Sequence, residues 1–521
     1  MLNLKILTAQ RWWHCAAPGL IWGKNPFIQG GCRADFAHKE RVLYVFDPKA
    51  LHHIVIKDQH IYEETTSFIE NNKILYGEGL LATLGDQHRR QRIILNPVFN
   101  TANMREMIPI FYEVAHRVVV YYFSNYYMLN PRQLKATLGS KVREASVEID
   151  VVQWISRTAL ELIGTSGFGY SFDSLREGDT PHPYSVSVKE LMSALFPFLF
   201  YRMYILPIAA RLLSMKTRRW IVDLLPSRRL HRVRDIVDVI RQLSVEIYES
   251  KKKYLIEGDE AVTKQIGAGK DVLSVLMKAN LDVAEGDRLS DEEIIGQIST
   301  LTFAAVDTTT TALSRIFHLL ALHPEVQDAL RREVSEARAN HGDLPFEQLV
   351  SLPYMDAVFR ETLRLYPPVP TFHRTARKDM VLPLSTPIKG MDGRDMHEVF
   401  VPKNTLVLVS AFSSNRNPEV WGPDADEWKP ERWFSPPRLV ADAHIPGIYS
   451  RLMTFMGGGR ACIGYKFSEL EIKVVLSLLV EGFGFKPSGK EIFWKMTGIT
   501  APVVLGGDGR PGLPLVISLA K

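Results

Sequence analysis

Cysteine is scarce in this chain: three residues, Cys15, Cys32 and Cys462, among 521. So few thiols exclude a disulfide-built secreted scaffold and point to a reducing compartment, where a lone thiol is either packing or chemistry. Cys15 and Cys32 lack metal-ligand spacing and are assigned no role. Charge of one sign is also missing, since 63 basic residues face 58 acidic ones for a net +5, and nothing in that balance points to a nucleic-acid partner. The first thirty residues hold neither a run of about 18 apolar residues nor the charged, apolar and small-residue regions of a signal peptide. The most lipophilic stretch lies inside the chain, at 194–213, yet it carries Arg202 and Arg211 and is broken by Pro197 and Pro207. It reads as buried or interfacial, not as membrane-spanning. Flexible Ser/Gly linkers, repeats and low-complexity tracts are absent, so one large domain over 41–521, preceded by an atypical segment 1–40, is the expected organisation.

With 46% hydrophobic and 23% charged residues, the chain has the material for a large packed core. "RVLYVFD" (41–47) alternates like a strand and the following "PKALHHIVIKD" reads as a helix; beyond about residue 86 the pattern is mainly helical. Ser290 stands three residues before Glu293, as in a capping box, and opens one helix of roughly 30 residues that ends near Pro324. Asp307 and Arg315 interrupt its apolar character, which fits a helix crossing the centre of a large protein better than a membrane span. A second helix covers about 353–366, short strands and turns continue to about 410, and a Pro- and Trp-rich loop leads to "TFMGGGRACIGYKFSELE" (454–471). In the last helix Ile463, Phe467, Leu470, Val474 and Leu478 share one buried face, with Lys466, Glu469, Lys473 and Ser477 between them. Cys462 is thereby placed at a helix N-terminus, where unbonded N–H groups and the helix dipole favour a thiolate. Glycines 457–459 read as removing side chains where backbone must approach a flat ligand. A thiolate beside bare backbone suits a metal cofactor.

Phe455, Gly458, Arg460, Cys462 and Gly464 match F-x-x-G-x-R-x-C-x-G, the signature of the cytochromes P450. On these residues the chain resembles that family of haem-thiolate monooxygenases, in particular fungal microsomal members. Three further motifs stand in the family's order. "AAVDTT" (304–309) resembles the oxygen-activation segment, with Ala305 where glycine is usual; the Thr308 hydroxyl can bond back to the carbonyl of Ala304 and open the helix locally. "ETLR" supplies Glu361 and Arg364, and "PERW" supplies Arg432; the resemblance implies a buried network of the three that locks the region around the cysteine loop. Arg460, Arg374, His88 and Arg92 resemble the family's haem-propionate ligands, His88 standing where many members have tryptophan. The alternative for "HRRQR" (88–92) is a solvated helix face.

The resemblance implies a mainly α fold, a triangular helical prism with a small β-rich lobe. It implies haem b (iron protoporphyrin IX) on Cys462, and insertion of one atom of dioxygen into a C–H bond or double bond of a lipophilic substrate. Thr308 and Asp307 are then the catalytic residues that handle protons. Electrons are expected from NADPH through a separate flavoprotein reductase, because the chain has no dinucleotide fingerprint. The implied location is the cytosolic face of the endoplasmic reticulum membrane, with 194–213 dipping into lipid; with no N-terminal anchor evident, a cytoplasmic location stays open. Substrate-facing segments fall near 60–80, 190–215, Phe303, 369–373 and "GITAP" (498–502). They are mostly apolar, as suits a terpenoid, steroid, fatty acid or aromatic compound. The segment 121–140 is longer than the family's usual connection. A haem-thiolate isomerase or dehydratase, or a haem-binding protein without catalysis, are the other readings.

Overall fold

The helix that opens at Ser290 shows how the sequence sets the architecture. The Ser290 hydroxyl accepts from the Glu293 N–H (3.3 Å) and the Glu293 carboxylate accepts from the Ser290 N–H (3.0 Å), closing the capping box. Asp291, Glu292 and Glu293 in the first turn complement the helix dipole. The helix runs from Asp291 to Leu322 and stops where Pro324 begins the next one, Pro324–His341. Three of its threonines bond back within the helix: Thr302, Thr308 and Thr310 donate to the carbonyls of Ile298, Ala304 and Val306 at 2.7, 2.6 and 2.7 Å. The Thr308 bond is the expected one, but the helix continues unbroken through it. The hydroxyl shares the carbonyl with the helical N–H and does not open the turn.

The computed structural model describes residues 20–24, 41–119, 146–175, 182–257, 269–390 and 392–520; Cys15, Cys32 and the 121–140 segment lie outside them. The chain divides into two compact units. The first comprises the described residues up to Thr65 together with Arg360–Cys462. It holds a five-stranded sheet in the order Leu20–Lys24, Arg41–Val45, Leu406–Ser410, Thr371–Ala376 and Tyr62–Glu63. Arg41–Val45 pairs in parallel with Leu406–Ser410 and every other pairing is antiparallel. Strand alternation sends Leu43 and Val45 into the larger core with Leu51, Val409 and Trp421, while Val42 and Tyr44 pack on the opposite face with Leu408.

The second unit, Thr66–Phe359 with Ile463–Lys521, is mainly helical. It carries a three-stranded sheet, Ser146–Asp150, Pro514–Leu519 and Phe483–Pro487, and the hairpin Ile492–Thr497 and Ile499–Val504. The last helix, Tyr465–Gly482, packs against Thr101–Val118 and Pro324–His341 and is buried on more than the one face expected. Lys473 and Ser477 are fully buried. Lys473 is tolerated there because Asp356 (2.9 Å) and Glu469 (2.8 Å) neutralise it. The lipophilic 194–213 stretch folds into short helical pieces, and no residue of Tyr201–Leu212 is buried. It is a surface element, with Leu199, Phe200, Tyr201, Ile205, Ile208 and Leu212 exposed. Among the described residues no helix is long and apolar enough to cross a membrane.

Candidate functional site

In the first unit, two tight turns, Met453–Phe455 and Gly458–Arg460, present the cysteine. The Cys462 N–H donates to the Phe455 carbonyl (2.9 Å) and the Ala461 N–H to the Gly458 carbonyl (3.1 Å), so the backbone is fixed while the thiol is exposed. The following helix starts at Tyr465 with Gly464 as its cap. Cys462 therefore precedes the helix by three residues and does not stand at its N-terminus; the glycine between them turns the chain first. The glycine run also differs from the reading as ligand clearance. Gly458 has φ +70°, and a Cβ there would lie 1.7 Å from the Val55 carbonyl oxygen; a Cβ on Gly457 would lie 1.7 Å from that of Pro446. The Gly459 N–H donates to Gln59 Oε1 at 2.7 Å. These glycines let the chain's own backbone close around the loop. At Gly464 a Cβ would meet nothing.

Arg374, on the Thr371–Ala376 strand, and Arg460 converge on the carboxylate of Glu64, at 3.3 and 3.1 Å. One carboxylate is thus shared by two guanidiniums. Arg374 is only 5% exposed, and burial draws its guanidinium below its ordinary value while Glu64 opposes the shift. Sequence reading missed Glu64, which carries no motif and meets Arg374 through the strand pairing of Tyr62–Glu63 with Thr371–Ala376 and Arg460 through the fold of the cysteine loop. Glu361 and Arg364 are both fully buried and paired through two contacts of 2.8 Å, and Arg432 reaches the same carboxylate at 3.3 Å. The three expected network residues are therefore in contact.

In the second unit, Phe303, Ala304, Ala305, Asp307 and Thr308 are half-buried in the middle of a helix that is otherwise mostly buried. The threonines divide their hydroxyls. Thr308 and Thr310 bond back within the helix, whereas Thr309 donates to Glu471 Oε1 (2.6 Å) and Thr311 to the Thr500 carbonyl (2.6 Å) in the hairpin. Glu471 is fully buried, its Oε2 has no hydrogen-bond partner among the described residues, and burial pushes its carboxyl well above the usual range. Sequence reading passed over it. The signal was present, because Glu471 lies four residues after Phe467 and three before Val474, on the apolar face. His88 is buried and Arg92 half-buried on the Gly85–Leu95 helix, so "HRRQR" is not simply a solvated face. That helix is tied to the long one by Gln91 and Arg90, which donate to Glu293 at 3.1 and 2.8 Å.

Haem on a thiolate asks for an accessible cysteine sulfur, cations for two propionates and room for a flat ring. An exposed thiol on a pinned backbone and two guanidiniums sharing one carboxylate are what the first unit supplies, and these residues fit. The sequence profile described as Cytochrome P450 matches residues 35–502. Cytochrome P450 monooxygenase 91 of Postia placenta is 48% identical over 482 residues, covering 92% of this chain and 85% of the relative. Cytochrome P450 monooxygenase 219 of the same fungus is 44% identical over 483 residues, with 92% and 85% covered. A ganoderic acid synthetase of Ganoderma lucidum is 41% identical over 482 residues, again with 92% and 85% covered. With a family profile spanning most of its length and relatives of this closeness, the chain belongs to the cytochrome P450 family and is a haem-thiolate monooxygenase.

Proposed function

We propose that Cys462 is the axial thiolate of haem b, that Arg374, Arg460, His88 and Arg92 take its propionates, and that residues 41–521 act as one domain oxidising a lipophilic substrate. The observation that carries this is the cysteine loop, where the Phe455 carbonyl fixes the Cys462 amide and leaves the thiol exposed. Haem bound there supplies activation of dioxygen and transfer of one oxygen atom to the substrate. The chain's own residues do the rest. Arg374, buried beside Glu64, and the half-buried Arg460 would share their charge between that carboxylate and a propionate. Glu361, Arg364 and Arg432 hold the surrounding loop.

Thr308 and Asp307 handle protons. The Thr308 proton rests on the Ala304 carbonyl, so its oxygen is first a hydrogen-bond acceptor; to donate, the hydroxyl must rotate away and give up a bond worth about 1 kcal/mol. Asp307, half-buried one residue earlier, would resupply that proton from solvent. Electrons come from NADPH through a separate flavoprotein reductase, in keeping with the family's need for a redox partner. The exposed apolar side chains of 199–212, followed by Lys216 and Arg219, support residence on the cytosolic face of the endoplasmic reticulum membrane. The test is the ferrous carbonyl spectrum. Wild type is expected to show the red-shifted Soret band of thiolate ligation and Cys462→His to lose it; a band unchanged in Cys462→His removes Cys462 from the iron.

A further inference from the structure

Asn415 lies in the first unit at zero exposure, and each of its polar atoms has a partner. Its N–H donates to the Ala411 carbonyl at 3.0 Å and closes the short Ala411–Ser414 helix. Its own carbonyl accepts from Arg364 Nη1 at 2.9 Å, and Arg364 is held in turn by the Glu361 carboxylate. The side chain faces the other way, toward the cysteine loop. Oδ1 accepts from the Met453 N–H at 2.8 Å, and Nδ2 donates to Thr454 Oγ1 at 2.8 Å. A fully bonded buried amide holds its neighbours in one arrangement.

The sequence explains why Thr454 is able to accept. The helix Pro353–Leu365 ends ahead of Pro367, which has no N–H to offer the Leu363 carbonyl four residues before it. The Thr454 hydroxyl takes that place, donating to the Leu363 carbonyl at 2.8 Å. Its proton is thereby committed, and its oxygen is left for Asn415. Met453 and Thr454 belong to the turn Met453–Phe455, whose Phe455 carbonyl accepts the Cys462 N–H at 2.9 Å. One line of contacts therefore runs from Glu361 through Arg364 and Asn415 to the turn that fixes the cysteine.

We infer that Asn415 is a positioning residue for Cys462, which carries the fixed placement of the Glu361–Arg364 pair to the cysteine loop and so presents the thiol in one orientation. It never touches the thiol, and acts through the Met453–Phe455 turn. The inference rests on the proposed reading of Cys462 as the axial thiolate.

The test uses the full haem-loaded chain. Asn415→Leu removes both side-chain bonds at nearly constant shape, Thr454→Val removes the hydroxyl, and Thr454→Ser keeps it. Val401→Ala, in the buried core of the same unit, is the control that lowers stability without touching the line of contacts. Two quantities are measured at equal distance below each protein's own melting temperature: hydrogen exchange of peptides spanning 453–462, and the share of the ferrous carbonyl signal in the red-shifted band. Asn415→Leu is expected to exchange about tenfold to a hundredfold faster over 453–462, the effect of leaving buried donors unpaired, and to lose part of the red-shifted band. Thr454→Val should show a smaller loss of the same kind, whereas Thr454→Ser and Val401→Ala should match wild type. An Asn415 that served stability alone would lower the melting temperature and move neither quantity. Wild-type values in Asn415→Leu, or an equal loss in Val401→Ala, overturns the inference. If Asn415→Leu does not fold, identical behaviour of Thr454→Val and Thr454→Ser overturns it instead. These results sink this inference alone when wild type shows the red-shifted band; a wild type without that band removes the Cys462 assignment and the inference with it.

Discussion

Glu361 and Glu471 are both fully buried, for opposite electrostatic reasons, and replacing each by glutamine separates them. The Glu361 carboxylate accepts from five donors: Arg364 Nε (2.8 Å), Arg364 Nη2 (2.8 Å), the Lys429 N–H (3.1 Å), Arg432 Nε (3.3 Å) and Trp433 Nε1 (3.0 Å). An amide keeps one acceptor oxygen and turns an NH2 toward donors. Glu361→Gln also leaves Arg364 without its counter-charge at zero exposure, and breaking such a buried pair costs about 3–5 kcal/mol. At about 2.1 cal/mol/K per residue, a 521-residue chain melting in one transition has an unfolding entropy of about 1.1 kcal/mol/K, so the melting temperature should fall by about 3–5 °C. Glu471 is the counter-case. Burial raises its carboxyl well above 4.5 and Thr309 is its one hydrogen-bond partner, so Glu471→Gln replaces one neutral group by another of the same shape.

The two variants also differ in pH dependence. A carboxyl whose folded value is raised contributes stability that is complete below the unfolded value of 4.5 and is lost as pH rises toward the folded value. Glu471→Gln should therefore gain on wild type as pH rises from 4.5 to neutrality. Thermal melts of wild type and both variants across that range decide the matter. If the two variants melt alike at neutral pH, or if Glu471→Gln loses ground with rising pH, the charge states assigned here are wrong.

Gly458→Ala should lose loop integrity and haem content, because its Cβ would lie 1.7 Å from the Val55 oxygen at φ +70°; normal haem occupancy would refute the close-approach argument. Thr308→Val should keep haem and substrate binding but divert NADPH electrons to hydrogen peroxide, with product formation down by about 10² or less; unchanged product per NADPH removes Thr308 from the mechanism. His318 accepts from Trp494 Nε1 at 3.1 Å, and burial, then the charge of Arg315, pushes it from 6.5 down to about 4. Its folded value is the lower one, so its contribution is full above pH 6.5 and is lost as pH falls toward 4. His318→Gln should flatten the melting profile across that window, and an unaltered profile counts against the assignment. Wild type should float with phosphatidylcholine–phosphatidylserine vesicles and the double variant Ile208→Glu, Leu212→Glu should bind them about tenfold less; equal flotation would return 199–212 to a purely structural role.

The sequence shows its local patterns openly. The long helix was legible because its first-turn acids lie within it and its cap and terminating proline directly flank it, and the Glu361–Arg364 pair because i and i+3 share a helix face. The cysteine loop was legible as a motif. Its glycines were misread because the neighbours that demand them, Val55 and Pro446, come from elsewhere in the chain. Glu64 and Glu471 escaped for the same reason: a carboxylate's role depends on which guanidinium or hydroxyl the fold delivers to it. The burial of Lys473 depends in part on Asp356, more than a hundred positions away, and no periodicity within its own helix could reveal that partner.

Gly79 and Gly296 have a consequence for how this part of the second unit can move. A Cβ on Gly79 would come within 2.4 Å of the Gly296 carbonyl oxygen, and one on Gly296 within 2.6 Å of the Gly79 nitrogen. Each would strike main chain, the one on Gly79 the Thr300 hydroxyl as well, so a change of rotamer alone cannot make room, and the loop is riveted to the long helix at this point. Any opening beside it must then come from motions on either side of the rivet, in the Thr66–Tyr76 helix or the 201–212 surface element bound to it through Ser67 and Arg202. Slow amide exchange at Leu80 beside fast exchange across 199–212 is the breathing pattern such a doorway leaves behind.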